Sequence, residues 1–330
     1  MARTEPNGSR NERLSMMKHV LIDCDTGIDD SIAILYALKN KHIHIEGITT
    51  GFGNATALQA ADNTLRLIKL AQCGYEIPVA VGAEQPLHGE RESAPVHIHG
   101  HNGIGDAELP PSDQKVLAEP AWDFIIRKAN ELKGNLIIVT LGRLTNLALA
   151  LEKDPELPCK VKKVVSMGGS SAKPGNVSQY AEANIYGDAE AADIVVKAGF
   201  NLTLVGLDVT TETFITGNDL EALSHYCAPE NKPIVEYMQS ALRYYFKFHY
   251  ATAGLIDRCY VHDPLAMILA VNPSLGSYNP MSVQVEFCHP ELRGMIKMDN
   301  RFISEYLHDE ILYCTHVDSD LAVRKLLSAF

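Results

Sequence analysis

The chain has 330 residues, 46% hydrophobic and 21% charged, which supplies apolar material for one large or two ordinary globular domains and excludes disorder or a coiled coil as an overall description. Its 29 basic and 41 acidic residues leave a net charge of −12, which repels phosphate backbones and anionic lipid headgroups, so nucleic acid and membrane surfaces are not expected partners. No run approaches the ~18 apolar residues of a membrane span, and the first 17 residues lack the apolar segment of a secretory signal. The expectation is a cytoplasmic protein with a polar, disordered extension over 1–17 and one α/β domain over 18–330. The 7 cysteines (Cys24, Cys73, Cys159, Cys227, Cys259, Cys288 and Cys314) are scattered and never form a C-x-x-C pair. That disfavours a disulfide scaffold or a structural zinc site, and most are expected to be inert core residues.

In chain order, short Val/Ile-rich runs alternate with helical patterns. HVLIDCD precedes a helix from about Asp29, HIEGITT precedes a helix from about Asn54, and IPVAVG follows. After a polar stretch come NLIIVTLG with a helix, KVKKVVSMGG with a Gly-rich loop and a helix near Asp188, and NLTLVGLDVT. These six strand candidates predict a doubly wound, mostly parallel central sheet with helices on both faces. Residues 82–119, rich in Gly, Pro and His, read as a long functional loop. From about Leu220 to Val271 the pattern turns helical, with aromatics Tyr244, Tyr245, Phe246, Phe248 and Tyr250, and suits a helical insertion near the active site. No linker or internal repeat is visible.

Chemistry concentrates at DCDTGIDD, residues 23–30. Strand side chains alternate, so Asp23 and Asp25 share one face, Gly27 permits a tight turn, and Asp29 with Asp30 opens the helix. A helix cap explains one or two of these acids, but not four. Carboxylates this close raise one another's pKa unless a cation intervenes, and an all-oxygen donor set favours Ca²⁺ or Mg²⁺ over zinc. An EF-hand fails because its twelfth position, counted from Asp23, is Ile34. A haloacid-dehalogenase-like phosphatase, with Asp23 as nucleophile and Mg²⁺, survives weakly, since Gly27 stands where Thr or Val is expected.

DCDTGIDD resembles the D-x-D-x-G-x-D-D fingerprint of the inosine-uridine type nucleoside N-ribohydrolases. The agreement continues through GFGNAT (51–56), HIHG (97–100), LGRLTN (141–146), VVSMGG (164–169), GNVSQYAEAN (175–184) and VHDP (261–264). The resemblance implies hydrolysis of the N-glycosidic bond of ribonucleosides such as inosine and uridine to ribose and free base, by a Ca²⁺-bound water. It implies Ca²⁺ held by Asp25, Asp30, Asp263 and the backbone carbonyl of Leu141, with Asp25 taking the proton of the water. Asp29 is then expected on a ribose hydroxyl, Asp23 supporting the loop, and His262 facing the leaving base. It also implies a homo-oligomer, dimer or tetramer.

Several of these residues have blander readings. Asp263 before Pro264 reads equally well as a helix cap. HIHGH could be a zinc pair, but its Gly-rich setting favours a mobile substrate-covering loop in which His97 or His99 touches the base. Asn54, Asn176, Glu182 and Asn184 read as solvated loop by type. The family places Asn176 and Glu182 toward the ribose 5'-hydroxyl and Asn184 toward the 2' and 3' side. Two departures stand out: Ala183 where an aromatic residue is common, and Thr26 where Pro is frequent. Purine-selective relatives sandwich the base between tryptophans, and the single tryptophan, Trp122, lies away from every motif. Base preference stays open. A non-catalytic Ca²⁺-dependent ribose or nucleoside binding protein is the rival from another class; it has no use for a His beside the base.

Overall fold

The computed structural model describes residues 17–299 and 310–330, so residues 1–16 of the expected extension lie outside the described residues. The first strand, β1 (Lys18–Cys24), is buried continuously from Val20 onward, as a central parallel strand covered on both faces must be. It leads into helix α1 (Ile28–Lys39), β2 (Ile43–Thr50), α2 (Ala57–Ala71) and β3 (Val79–Val81). The expected helix near Asn54 begins only at Ala57, because the Thr56 side chain caps it by accepting from the Gln59 amide at 3.1 Å. The second run comprises α3 (Ala121–Leu132), β4 (Leu136–Thr140), α4 (Thr145–Lys153), β5 (Lys163–Met167), α5 (Ala189–Val196) and β6 (Leu202–Val205).

These strands form the parallel order β6-β5-β4-β1-β2-β3. Successive strands step one way from β1 and the other way from β4, so the order reverses between them. Loops leaving the carboxyl ends of these two neighbours diverge to opposite faces and open a crevice, where doubly wound sheets bind ligands. Parity along β1 separates two cores. Val20, Ile22 and Cys24 pack under α1, α2 and the later helices, whereas Leu21 joins Phe124, Leu147 and Val195 from α3, α4 and α5.

The helical segment holds α6 (Gly217–Tyr226), α7 (Lys232–Ala253) and α8 (Asp263–Val271), interrupted by a hairpin of β7 (Phe214–Thr216) and β8 (Arg258–Tyr260) that the sequence pattern did not reveal. The C-terminal region adds β9 (Gly276–Val285), β10 (Ile296–Asp299), β11 (Glu310–Val317) and α9 (Ser319–Leu327). β11 pairs parallel to β6, while β9 and β10 continue antiparallel, giving this sheet nine strands among the described residues. The cysteines are all free. Cys24, Cys259 and Cys314 are buried as expected, but Cys159 and Cys288 are exposed and Cys73 and Cys227 half-buried, which corrects the expectation that most lie in the core. No described helix is long and apolar enough to cross a membrane.

Candidate active site

β1 ends at Cys24, so Asp23 and Asp25 straddle the strand's exit into the crevice. Asp23 is 2% exposed, and its Oδ1 accepts from Thr49 Oγ1 at 2.6 Å and Asn146 Nδ2 at 2.8 Å. It ties β1 to β2 and α4 from below, which suits a loop support and disqualifies it as a phosphatase nucleophile. Asp25 meets the Asn54 amide at 2.8 Å and the Arg143 guanidinium through Oδ2. Asp30 Oδ2 accepts from the Gly27 amide at 2.8 Å, the helix-capping contact that accounts for one acid. Asn54 Nδ2 bridges Asp30 Oδ2 at 3.0 Å and Asp25 Oδ1 at 3.3 Å.

Asp263 arrives from the far end of the chain as the first residue of α8. The cap position is taken by His262, so the bland reading of Asp263 as the cap does not describe it. One carboxylate oxygen each from Asp29, Asp30 and Asp263 lies within 4.8 Å of the others, all three residues buried. That spacing matches oxygens spanning one cation at the 2.3–2.6 Å typical of Ca²⁺. Asp29 Oδ1 is also a buried oxygen with no hydrogen-bond partner among the described residues, and its Oδ2 meets Tyr245 Oη only at 3.5 Å.

Electrostatics points the same way. Burial, then the charge of Asp30, pushes Asp25 up to about 7 despite the opposing Arg143. Burial and the Asp29 charge push Asp30 up to about 6. Burial and the Asp25 charge raise Asp29, and burial with the charges of Asp29 and Asp30 takes Asp263 well above the carboxylate range. Four buried acids facing one guanidinium leave a charge deficit that a divalent cation would fill.

The long loop reaches this cluster through His99, not His97. His99 is buried and its Nδ1 accepts from the Ile28 amide at 3.1 Å, while His97 is exposed with its ring 6.0 Å from Phe248. Gly27 is required here: a Cβ would come within 2.7 Å of His99 Nδ1 and 2.6 Å of Asn54 Nδ2. Burial pushes His99 down to about 3, so it is neutral. Across the crevice, α7 and β8 stack Tyr245, Phe248, His249 and Tyr260 beside His262. His262 Nδ1 pairs with Thr210 Oγ1 at 2.8 Å, and burial holds the ring neutral at about 3.

The remaining site residues come together on the 168–185 loop. Glu182 is buried with its carboxylate accepting from the amides of Asn184 (2.9 Å), Gly169 (3.0 Å) and Ile185 (3.1 Å). Asn184 Nδ2 donates to the Leu141 carbonyl at 2.7 Å, which leaves that oxygen one lone pair. Asn176 is exposed and holds the Ala183 amide at 2.9 Å. Sequence reasoning passed over Arg143, Asn146, Thr210 and His249. Arg143 and Asn146 stand within LGRLTN beside Leu141, and a cation at a strand exit opposite an acidic motif was a readable signal. Thr210 and His249 carry no such mark.

Residues 20–323 match the model of the inosine-uridine preferring nucleoside hydrolase family. The chain is 39% identical over 279 residues to uridine nucleosidase 1 of Arabidopsis thaliana, covering 84% of this chain and 81% of that protein. It is 34% identical over 284 residues to the pyrimidine-specific ribonucleoside hydrolase RihA of a Shewanella strain, covering 86% and 87%. Among solved structures, the plant nucleoside hydrolase PpNRh1 superposes with a TM-score of 0.88 at 35% identity, over 94% of this chain and 98% of that one. A purine-preferring ribonucleoside hydrolase from Gardnerella vaginalis gives 0.87 at 33% identity, with the same coverage. With acids from both ends of the chain gathered at the sheet reversal, and the match running nearly from end to end, the chain belongs to the inosine-uridine preferring nucleoside hydrolase family and is an enzyme that hydrolyses ribonucleosides.

Proposed function

We propose that the enzyme is a Ca²⁺-dependent ribonucleoside hydrolase in which Asp25 is the general base and His262 serves the leaving base. The observation that carries it is the approach of Asp29, Asp30 and Asp263 to one point, with an unpartnered oxygen on Asp29. In this reading Asp30 and Asp263 of that group would hold the ion together with Asp25 and the free lone pair of the Leu141 carbonyl, while Asp29, the third acid of the group, turns to the sugar. When bound, the ion supplies positive charge that orients the ribose diol and makes water more acidic.

Asp25 accepts a proton from the water that adds to the anomeric carbon as the N-glycosidic bond breaks, and ribose and free base are the products. The transition state has oxocarbenium character, and the surrounding carboxylates stabilise it. Asp29 and Asn54 take ribose hydroxyls from the metal side, Asn184 the 2' and 3' side, and Asn176 with Glu182 the 5' side. The Glu182 carboxylate reaches a hydroxyl only with the lone pairs its three amide contacts leave. When the Thr210 hydroxyl donates to Nδ1, His262 carries its proton on Nε2 and donates a hydrogen bond to the leaving base, which ends with a proton from solvent while the ring stays neutral. His99 closes the pocket, and His97 lines its outer edge.

Uridine is the substrate to test first, on the likeness to proteins named uridine nucleosidases. The wall of Tyr245, Phe248 and Tyr260 accepts either base class, so inosine belongs in the same panel. Base release from a nucleoside panel, with and without chelator and with Ca²⁺ restored, is the test. Tight nucleoside binding without base release would favour the non-catalytic rival, and activity untouched by chelation would remove the ion. Free cysteines throughout suit the reducing cytoplasm. A dimer or tetramer is the proposed assembly, checked by light scattering.

A further inference from the structure

Arg143 is built into the site in a way the reaction above does not use. It leaves the turn after β4, two residues beyond Leu141, with a side chain only 14% exposed. Its one side-chain hydrogen bond among the described residues runs from Nη1 to Asp25 Oδ2, and its Nε is buried without a partner. An arginine that ties the fold together spreads its five donors over several acceptors. This one has a single protein target, the proposed base.

The surroundings are shaped for that contact. A side chain at Gly53 would collide with both Arg143 Nη1 and Asp25 Oδ2, and one at Gly187 would lie 2.6 Å from Arg143 Nε. A Cβ at Gly142 would stand 3.0 Å from Asp25 Oδ1. The Phe52 ring lies 5.9 Å from the guanidinium carbon. Three glycines and a ring thus leave the ion pair one channel. Within it the two oxygens of Asp25 are unequal: Oδ2 takes Arg143 and the Asn54 amide, while Oδ1 has only Asn54 Nδ2 at 3.3 Å.

We propose that Arg143 is a positioning residue that clamps Oδ2 of Asp25 so that Oδ1 is the oxygen turned toward the ion site and the reacting water. The assignment rests on reading Asp25 as the base. Because water activation is common to all substrates, Arg143→Ala is expected to lower kcat about 100-fold on both uridine and p-nitrophenyl riboside, with KM within about threefold. Added guanidinium, at non-denaturing concentration, restores at least about tenfold of the Arg143→Ala loss by refilling the channel, and sodium chloride at equal ionic strength does not. Arg143→Lys, which keeps the charge and guards against a misfolded alanine variant, retains more activity than Arg143→Ala. A kcat within about threefold of wild type, or a loss seen only in KM and untouched by guanidinium, overturns the proposal. A crystal structure of Arg143→Ala decides it independently of turnover: a rotated Asp25 carboxylate supports the clamp, and one in its original place overturns it even if wild-type protein hydrolyses no nucleoside.

Discussion

Two regions of this enzyme bury carboxylates and treat them oppositely. On the 168–185 loop Glu182 is surrounded by three backbone amides. Nearby, Asp208 accepts from the amides of Ser171 and Ala172 and from the Tyr313 hydroxyl. Most of the accepting capacity of those acids goes to holding the loop's own amides in place, buried ones at Glu182 and exposed ones at Asp208. In the crevice between β1 and β4, Asp25, Asp29, Asp30 and Asp263 face one another, and Asp29 keeps an oxygen with no partner. Burial without satisfaction costs stability, and a fold that tolerates it has reserved those atoms for a ligand.

The comparison breaks most sharply at Asp25. Asp25→Ala should lower uridine turnover by at least about 1,000-fold while circular dichroism stays that of the folded parent, with the urea midpoint lowered because Arg143 loses its partner. Near-normal turnover would mean that the crevice acids are architecture after all. His262→Ala should cost about 100-fold on uridine and leave p-nitrophenyl riboside nearly unaffected, since that leaving group needs no proton. Equal losses on the two substrates would deny His262 a role at the base.

Metal linkage sharpens the contrast through pH. Asp25 and Asp30 sit at about 7 and about 6 in the metal-free fold, above their ordinary value of 3.8. Their protonated forms therefore stabilise the metal-free protein at low pH, and that contribution is lost as pH rises through about 6 to 7. Protons and Ca²⁺ compete for the same oxygens, so the increment in melting temperature from Ca²⁺ should be near zero at pH 5 and grow to pH 8. At 100 times the dissociation constant it is worth about 2.7 kcal/mol. A constant increment across that range would place the ion elsewhere. Glu182→Ala should lower unfolding free energy by about 2 kcal/mol in urea titrations and, unlike Asp25→Ala, leave Ca²⁺ affinity unchanged.

Much of this was legible before any fold was known. Val/Ile-rich runs announced β1 to β6 but not β11, which also runs parallel, because a strand buried on both faces has no polar side to hide it and β11 has exposed positions. The hairpin of β7 and β8 has only three residues per strand, too few for a period. Strand β9 carries Pro280 and mostly exposed or half-buried side chains. Its pairing with β10 covers only Ser282 to Val285, so the missing amide of Pro280 costs nothing on that side. Such a strand has no signature of its own and is defined by its neighbours.

Sequence by itself fixed the acidic motif, the strand grammar and the family, because these depend on residue type at short spacing. Tertiary structure alone decided that Asp263 joins Asp29 and Asp30, that His99 and not His97 reaches the turn at Gly27, that Glu182 is occupied by amides, and that Arg143 holds Asp25. The physical reason is range. Local pattern is written by neighbours a few positions apart, whereas the satisfaction of a buried charge depends on which distant atoms the packed sheet carries to within hydrogen-bonding reach.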